Sequence, residues 1–192
     1  MNLKAWIYYH LARLQLALRR HEEAARAYRL ALAANPRFAL AAASLGFLEA
    51  TRERYAEAAA AFEEALRIDP AAADVWFDLG FVRQQLRQFE PALDSFRRAV
   101  ELKPGLDRAW FGMGMIHSAR SEHAKAVEMF RKAAELQPMN PHAFYELAKA
   151  YYALNNLDQV RKIIKRVSEF DPKVTKQLIR ETGQLPEGVA RR

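Results

Sequence analysis

Histidine is the residue type in this chain best suited to bind a metal ion or to transfer a proton near neutral pH. The five histidines are His10, His21, His117, His123 and His142. No two of them have the three- or four-residue spacing that would place both on one face of a helix, as a helical metal site requires. The closest two, six residues apart, are expected to lie on either side of a turn. We therefore predict no metal site.

Two glycines flank Met113 in the order Gly-Met-Gly, which is part of the dinucleotide-binding pattern G-x-G-x-x-G. His117 stands where the third glycine would be, and no strand-like segment precedes the pattern. The chain also has no G-x-S-x-G motif, no phosphate-binding loop and no cysteine, so thiolate chemistry is excluded. No pair of carboxylates is expected to face a cleft. We predict no catalytic residues, no cofactor and no enzymatic activity.

Binding is the chemistry that remains, and the periodicity of the chain predicts where it takes place. Five prolines stand 34 residues apart without an insertion, at positions 36, 70, 104, 138 and 172. Such a period indicates tandem copies of a unit too small to bury its own core. We number the places of each repeat so that the proline is at place 32. The five repeats are then 5–38, 39–72, 73–106, 107–140 and 141–174.

Large and small apolar residues recur at fixed places of these repeats. Place 4 holds Tyr8, Ala42, Trp76, Trp110 and Phe144, place 7 holds Leu11, Leu45, Leu79, Met113 and Leu147, and place 24 holds Tyr28, Phe62, Phe96, Phe130 and Ile164. Places 8, 20 and 27 hold almost only glycine and alanine. Steps of three, four and seven put these residues on one stripe of a helix, twice per repeat. The proline stops the second helix, so each repeat is predicted to be a helical hairpin.

These residues resemble the tetratricopeptide repeat family over residues 5–174, with agreement in spacing and residue type in all five repeats. The resemblance implies an all-α, right-handed α-solenoid of five helical hairpins. We expect one solenoid domain over residues 1–182, with a capping helix at 173–182 and a mobile tail at 183–192. Place 11, usually a large aromatic in the family, departs from the pattern in the first four repeats. There it is Gln15, Glu49, Arg83 and His117, which we expect to loosen or hydrate the hairpins locally.

In this family the first helix of each hairpin lines an inner groove through places 2, 5, 9 and 12. Phe47, Phe77, Phe81, Phe111 and Met115 are surplus to the packing stripe, and we expect them to form one apolar floor of that groove. Arg13, Arg108 and Lys149 would then orient a ligand from its ends. The full predicted groove is Trp6, Tyr9, Arg13, Phe47, Phe77, Phe81, Arg108, Phe111, Met115, Tyr145, Lys149 and Tyr152.

The predicted function is a non-catalytic scaffold or adaptor that binds an apolar or amphipathic segment of a protein partner in this groove. The alternative for the rings at place 5 is that they pack against the neighbouring first helix. Some members of the family hold a C-terminal carboxylate with an asparagine at place 9. No repeat of this chain has asparagine there, so ligand binding of that type is not expected.

The first repeat suggests a second function. Ile7, Leu14 and Leu18 occupy places that would contact a preceding repeat, and we expect them to form an apolar edge. That edge is either a self-association surface for a homo-oligomer, a contact for another partner, or an unused surface.

Nucleic-acid binding is a third reading, because the net charge is +7 and concentrated at the two ends of the chain. Residues 1–38 carry seven basic and two acidic side chains, whereas residues 39–72 carry three and six. Basic pairs recur at places 25 and 26, as in Arg97–Arg98. Most have an opposite charge four residues away, whereas we expect Arg161, Lys162 and Arg166 to be unpaired. The predicted aromatic groove lies on the opposite face, which disfavours nucleic acid.

Composition also bears on location. No run of 18 apolar residues is present, so no membrane span is predicted. Lys4, His10 and Arg13 interrupt the apolar N-terminal stretch and argue against a secretory signal. We expect a cytoplasmic protein.

Overall fold

The structure is a computed structural model that describes residues 2–186. Within this range ten helices form five consecutive hairpins, and an eleventh helix follows them. The first helices of the hairpins are α1 (Leu3–Ala17), α3 (Ala39–Thr51), α5 (Ala73–Gln85), α7 (Asp107–Ala119) and α9 (Pro141–Ala153). The second helices are α2 (His21–Ala34), α4 (Tyr55–Ile68), α6 (Phe89–Leu102), α8 (His123–Leu136) and α10 (Leu157–Ser168). The last helix is α11 (Pro172–Thr182).

The helices belong to two compact units, Met1–Lys103 and Pro104–Arg192. In the first unit each hairpin packs on the next, with α2 against α3 and α4 against α5. In the second unit α8 packs against α9, and α11 covers α9 and α10. Each unit has hydrophobic cores of its own. The single domain over residues 1–182 therefore stays a prediction.

Small residues at place 8 bring the two helices of a hairpin together, as the sequence pattern predicted. A Cβ atom built on Gly80 would lie 2.6 Å from the ring of Phe96, and one built on Gly114 would lie 2.6 Å from Phe130. Real Cβ atoms do not approach a neighbour this closely, so the ring occupies the space that a side chain would need. Gly114 of the Gly-Met-Gly pattern thus serves helix packing.

The turn inside every hairpin has the same left-handed residue at place 15. These residues are Arg19, Glu53, Arg87, Ser121 and Asn155, with φ between 56° and 59°. The amide that follows bonds back into the first helix, as when Gln88 N–H donates to the carbonyl of Arg83 at 2.9 Å. This is the Schellman arrangement. It was not predicted, because none of the five residues is glycine.

The periodic prolines take part in the packing between consecutive repeats. The indole N–H of Trp76 donates to the carbonyl of Pro70 at 2.9 Å, and Trp110 does the same to Pro104 at 3.1 Å. The proline that ends one hairpin thus anchors the aromatic residue at place 4 of the next.

The predicted capping helix is present as α11 and begins at Pro172, one residue earlier than expected. The side chain of Asp171 accepts from Val174 N–H at 2.9 Å, and Gly183 ends the helix with φ 66°. Leu178 is fully buried against α9 and α10. Of the mobile tail predicted at 183–192, residues 187–192 lie outside the described residues. Among residues 2–186 no helix has the length and apolarity needed to cross a bilayer.

Candidate functional site

An apolar cavity of about 310 Å³ opens between α3 and α5 in the first unit. Its mouth is formed by Phe47 and Phe81, which are 62% and 42% exposed. The complete lining is Phe47, Ala50, Thr51, Phe62, Phe77, Asp78, Phe81 and Val82. Apart from Thr51 and Asp78, all of these side chains are apolar. Such exposure of large rings around a concavity is characteristic of a binding site for an apolar group.

The repeat geometry explains why these rings meet. Phe77 and Phe81 are four residues apart on α5 and therefore share one face of that helix. Phe47 occupies on α3 the place that Phe81 occupies on α5, one repeat later. Phe62 of α4 and Val82 are buried and form the base of the cavity. The cavity therefore depends on the packing of one hairpin on the next.

The rings at places 5 and 9 have different environments. At place 5, Phe77 lies 5.8 Å from the ring of Phe96 and Tyr9 lies 5.7 Å from Tyr28. Tyr9 is only 7% exposed and belongs to the core of the first unit. Both rings contact the second helix of their own hairpin, and Phe77 also borders the cavity beside the neighbouring first helix α3. Place 9 holds the more exposed rings.

The predicted apolar floor included Phe111 and Met115 as well. Both lie in the second unit, where they are half-buried and pack on its hydrophobic core. The ring of Phe111 is 5.4 Å from that of Phe130. The structure thus brings Phe47, Phe77 and Phe81 together in the first unit and gives Phe111 and Met115 core contacts in the second.

At the last repeat, α11 covers Tyr145. The Tyr145 hydroxyl donates to Glu181 at 2.8 Å and accepts from Gln177 at 2.9 Å. Burial, reinforced by Glu181, raises the pKa of Tyr145, and the hydrogen bonds from Gln177 and Tyr145 lower the pKa of Glu181. Lys149 is 3.4 Å from Glu146 and lies over the Tyr145 ring. Both predicted groove residues therefore have contacts within the chain.

The remaining predicted groove residues lie on the first helices as expected. Trp6 is half-buried and packs on Phe38 of the first unit, with ring centroids 5.1 Å apart. Arg13, Arg108 and Tyr152 are exposed.

Place 11 corrects one expectation, since the polar residues there are not simply hydrated. Glu49 is 1% exposed and pairs with Arg29 of the preceding hairpin at 2.8 Å and with Arg52 at 3.2 Å. In the next repeat the basic residue is at place 11 and the acidic residue at place 25, and Arg83 pairs with Glu63 at 2.7 Å. Both pairs join place 25 of one repeat to place 11 of the next. In the sequence, opposite charges 20 residues apart could have predicted both pairs.

Further polar contacts surround these pairs. Arg52 and Arg54 also bind Glu22, and the hydrogen bond from Arg52 lowers the pKa of that carboxyl below its ordinary value. His117 lies 2.8 Å from Glu122, whose pKa is lowered by hydrogen bonds, first from Lys125 and then from His117. Among residues 2–186 no group of three or more metal-ligating side chains comes together.

The basic surface is paired with different partners from those that the sequence predicted. Arg97 binds Asp94 at 2.7 Å, three residues away, where Glu101 was expected as its partner. Arg161 and Arg166, expected to be unpaired, bind Asp158 at 3.0 Å and Glu169 at 2.5 Å. These contacts leave less free positive charge for a nucleic acid.

The predicted edge residues are Ile7 and Leu14 on α1 and Leu18, which caps the C-terminal end of α1, and they are 57%, 57% and 54% exposed. Leu11 was predicted to belong to the packing stripe, but it is 39% exposed. Its counterpart Leu45 is buried because α2 covers α3, and α1 has no such cover among the described residues.

Comparison with protein families accounts for most of the chain. A family described as tetratricopeptide repeat matches residues 117–178, a second model with that description matches 7–38 and 73–106, and a TPR repeat model matches 48–87. The chain belongs to the tetratricopeptide repeat family. Repeats of this family generally form non-catalytic scaffolds for protein–protein interaction. No curated protein matches the chain at a significant level.

Solved structures give the same fold. The chain is similar to MamA, with 20% identity, a TM-score of 0.84 and all of both chains covered. It is also similar to YrrB, described as a TPR protein with an unusual peptide-binding site, with 27% identity, a TM-score of 0.77 and 90% of each chain covered. PilF of Pseudomonas aeruginosa has 21% identity and a TM-score of 0.75, with 94% of this chain and 85% of PilF covered. These likenesses confirm the predicted all-α tetratricopeptide solenoid class.

Proposed function

We propose that the chain is an interaction scaffold whose cavity at Phe47, Phe77 and Phe81 binds an apolar side chain of a protein or peptide partner. The observation that carries this proposal is the open, phenylalanine-lined space between α3 and α5. The peptide-binding site of the similar protein YrrB supports peptide as the ligand class.

The size and lining of the cavity favour one class of anchor. About 310 Å³ accommodates one large side chain, and phenyl rings on several sides suit an aromatic or branched aliphatic group. Thr51 and Asp78 provide polar atoms for the peptide that carries the anchor. The hairpin 39–72 has more acidic than basic residues. An amphipathic segment with basic residues beside its apolar anchor is therefore the favoured ligand.

The test uses Phe81→Glu, which places a charge at the mouth of the cavity. Phe81 is 42% exposed, so the helices are expected to remain folded, as circular dichroism would establish. Burial of a phenylalanine contributes about 1.5–3 kcal/mol, so partner affinity should fall roughly tenfold to hundredfold. Partners are captured from cell extract, identified by mass, and their affinities measured with purified protein.

Leu30→Glu is the matched control. Leu30 is 47% exposed on α2, outside the cavity, and its replacement introduces the same charge. The proposal requires that this variant keep the partners that Phe81→Glu loses. If both variants capture the same proteins with the same affinity as the wild type, the cavity is not the binding site.

A further inference from the structure

A second apolar surface lies on α1, away from the cavity residues. Five side chains spaced by four, four, three and four residues share one face of this helix, the last of them at its C-cap. They are Leu3, Ile7, Leu11, Leu14 and Leu18, with exposed fractions of 69%, 57%, 39%, 57% and 54%. We name this surface the α1 stripe.

The following hairpins show what normally covers this face. Leu45 and Leu48 on α3 occupy the same places as Leu11 and Leu14, and they are only 8% and 2% exposed because α2 packs on them. On α5 the equivalent Leu79 is 1% exposed under α4. The α1 stripe therefore has the side-chain spacing of a surface that, elsewhere in the same unit, receives one helix.

Charge indicates which helix would fit. Residues 2–20 contain four basic residues, all exposed, and no acidic residue. Lys4 stands beside Leu3 at one end of the stripe, and Arg19 and Arg20 follow Leu18 at the other. A second copy of α1 would bring the same positive charges to the same contact, which disfavours pairing of two stripes.

A lipid surface fits less well. A helix that lies on an anionic membrane carries its basic residues along an exposed polar face. The face of α1 opposite the stripe is instead packed against α2, with Ala5 and Ala12 fully buried. The basic residues beside the stripe are therefore concentrated at its two ends.

We propose that the α1 stripe binds one amphipathic helix of a partner protein, and that this helix has acidic residues beside its apolar face. The partner helix lies on α1 as α2 lies on α3. Its acidic residues pair with Lys4 at one end and with Arg19 and Arg20 at the other.

Two designed peptides test the proposal. Each is a helix of about 20 residues, long enough to be helical in isolation, with leucines at alternating three- and four-residue spacing. One has glutamates beside the leucines and the other has lysines. Fluorescence anisotropy of labelled peptides should show the acidic helix binding the wild-type protein at least about tenfold more tightly than the basic helix, with a difference that falls as salt rises.

Two protein variants locate the binding. Leu14→Glu lies in the α1 stripe and should weaken binding of the acidic helix about tenfold or more. Leu154→Glu introduces the same charge at another leucine, 46% exposed and located at the end of α9, and should leave binding unchanged. Both sites are exposed, so helical content should not change in either variant.

Four results would overturn the proposal. The first three are that neither helix binds, that both helices bind equally tightly, and that Leu14→Glu binds the acidic helix as tightly as the wild type does. The fourth is that another occupant depends on Leu14 while the acidic helix does not bind. Light scattering over a dilution series would identify that occupant as a second copy, and sedimentation with phosphatidylglycerol vesicles would identify it as a lipid surface.

Discussion

The third and the fifth repeats present different chemistry at the same two places of their first helices. In the third repeat, places 5 and 9 are Phe77 and Phe81, and they border an open apolar cavity. In the fifth, they are Tyr145 and Lys149, and their polar atoms are bonded within the chain. In both repeats these places lie on the first helix of a hairpin, but the side chains there and their partners differ.

The cause of this difference lies in what each ring requires. A phenyl ring has no polar atom, so Phe81 can border an open cavity without leaving a hydrogen-bonding group unsatisfied. A partly buried tyrosine hydroxyl needs a partner, and α11 supplies two, from Gln177 and Glu181. The comparison indicates that α11 caps the last hairpin and also bonds the side chain at place 5 of the fifth repeat. We expect this contact to close the surface that corresponds to the open one in the third repeat.

The largest effect is expected from Leu178→Ala, which tests whether α11 closes this surface. Leu178 is fully buried in the core that α11 shares with α9 and α10. Removal of three buried carbons should lower the free energy of unfolding by about 2–5 kcal/mol. Chemical denaturation measures this loss, and hydrogen exchange should show reduced protection throughout α11.

Lys176→Ala is the control on the same helix, because Lys176 is exposed. It should change stability by no more than about 0.5 kcal/mol. If Leu178→Ala leaves the protection of α11 at the wild-type level, α11 is not held by this core contact and the proposed closure fails.

The hairpins were predictable from the sequence, because proline spacing and small residues act within one repeat. Gly80 facing Phe96 is an example, since both residues recur at fixed places. The pair Arg83–Glu63 was missed, because it depends on which places of consecutive repeats face each other. The contacts of Tyr145 with α11 were missed for the same reason, since Glu181 lies 36 residues later. Exposure of Phe81 follows from repeat geometry and was predicted, whereas the cavity beside it depends on how α3 and α5 pack.

An effect of intermediate size is expected from Gly80→Ala, which tests whether the third repeat tolerates the alanine that the fifth repeat has at this place. The new Cβ would lie 2.6 Å from the buried Phe96 ring, so the hairpin must shift. Overpacking of this kind costs about 1–3 kcal/mol of stability. In the fifth repeat these places hold Ala148 and Ile164, and both are fully buried. Thermal or chemical denaturation measures the change.

The double variant Gly80→Ala with Phe96→Ile tests the cause, since it copies the fifth-repeat pair. It should recover part of the stability that Gly80→Ala loses, because the branched side chain leaves room for the Cβ. Gly105→Ala is the control, as no atom lies within 4 Å of the added Cβ. Equal losses for Gly80→Ala and Gly105→Ala would mean that the close contact with Phe96 does not limit this hairpin.

The smallest effect is the pH dependence of the contact between α11 and Tyr145. The pKa of Glu181 is lowered from 4.5 in the folded chain, so its stabilising contribution is complete above about pH 4.5 and is lost as the pH falls through the folded value. The pKa of Tyr145 is raised above 10.0, so its contribution is complete below about pH 10 and is lost at higher pH. Hydrogen-exchange protection of α11, corrected for intrinsic exchange rates, should therefore fall below pH 4.5. Glu181→Gln should remove this acid dependence and leave the hydrogen-exchange protection around Phe47 and Phe81 unchanged. If the acid dependence persists in this variant, Glu181 does not hold α11 in place.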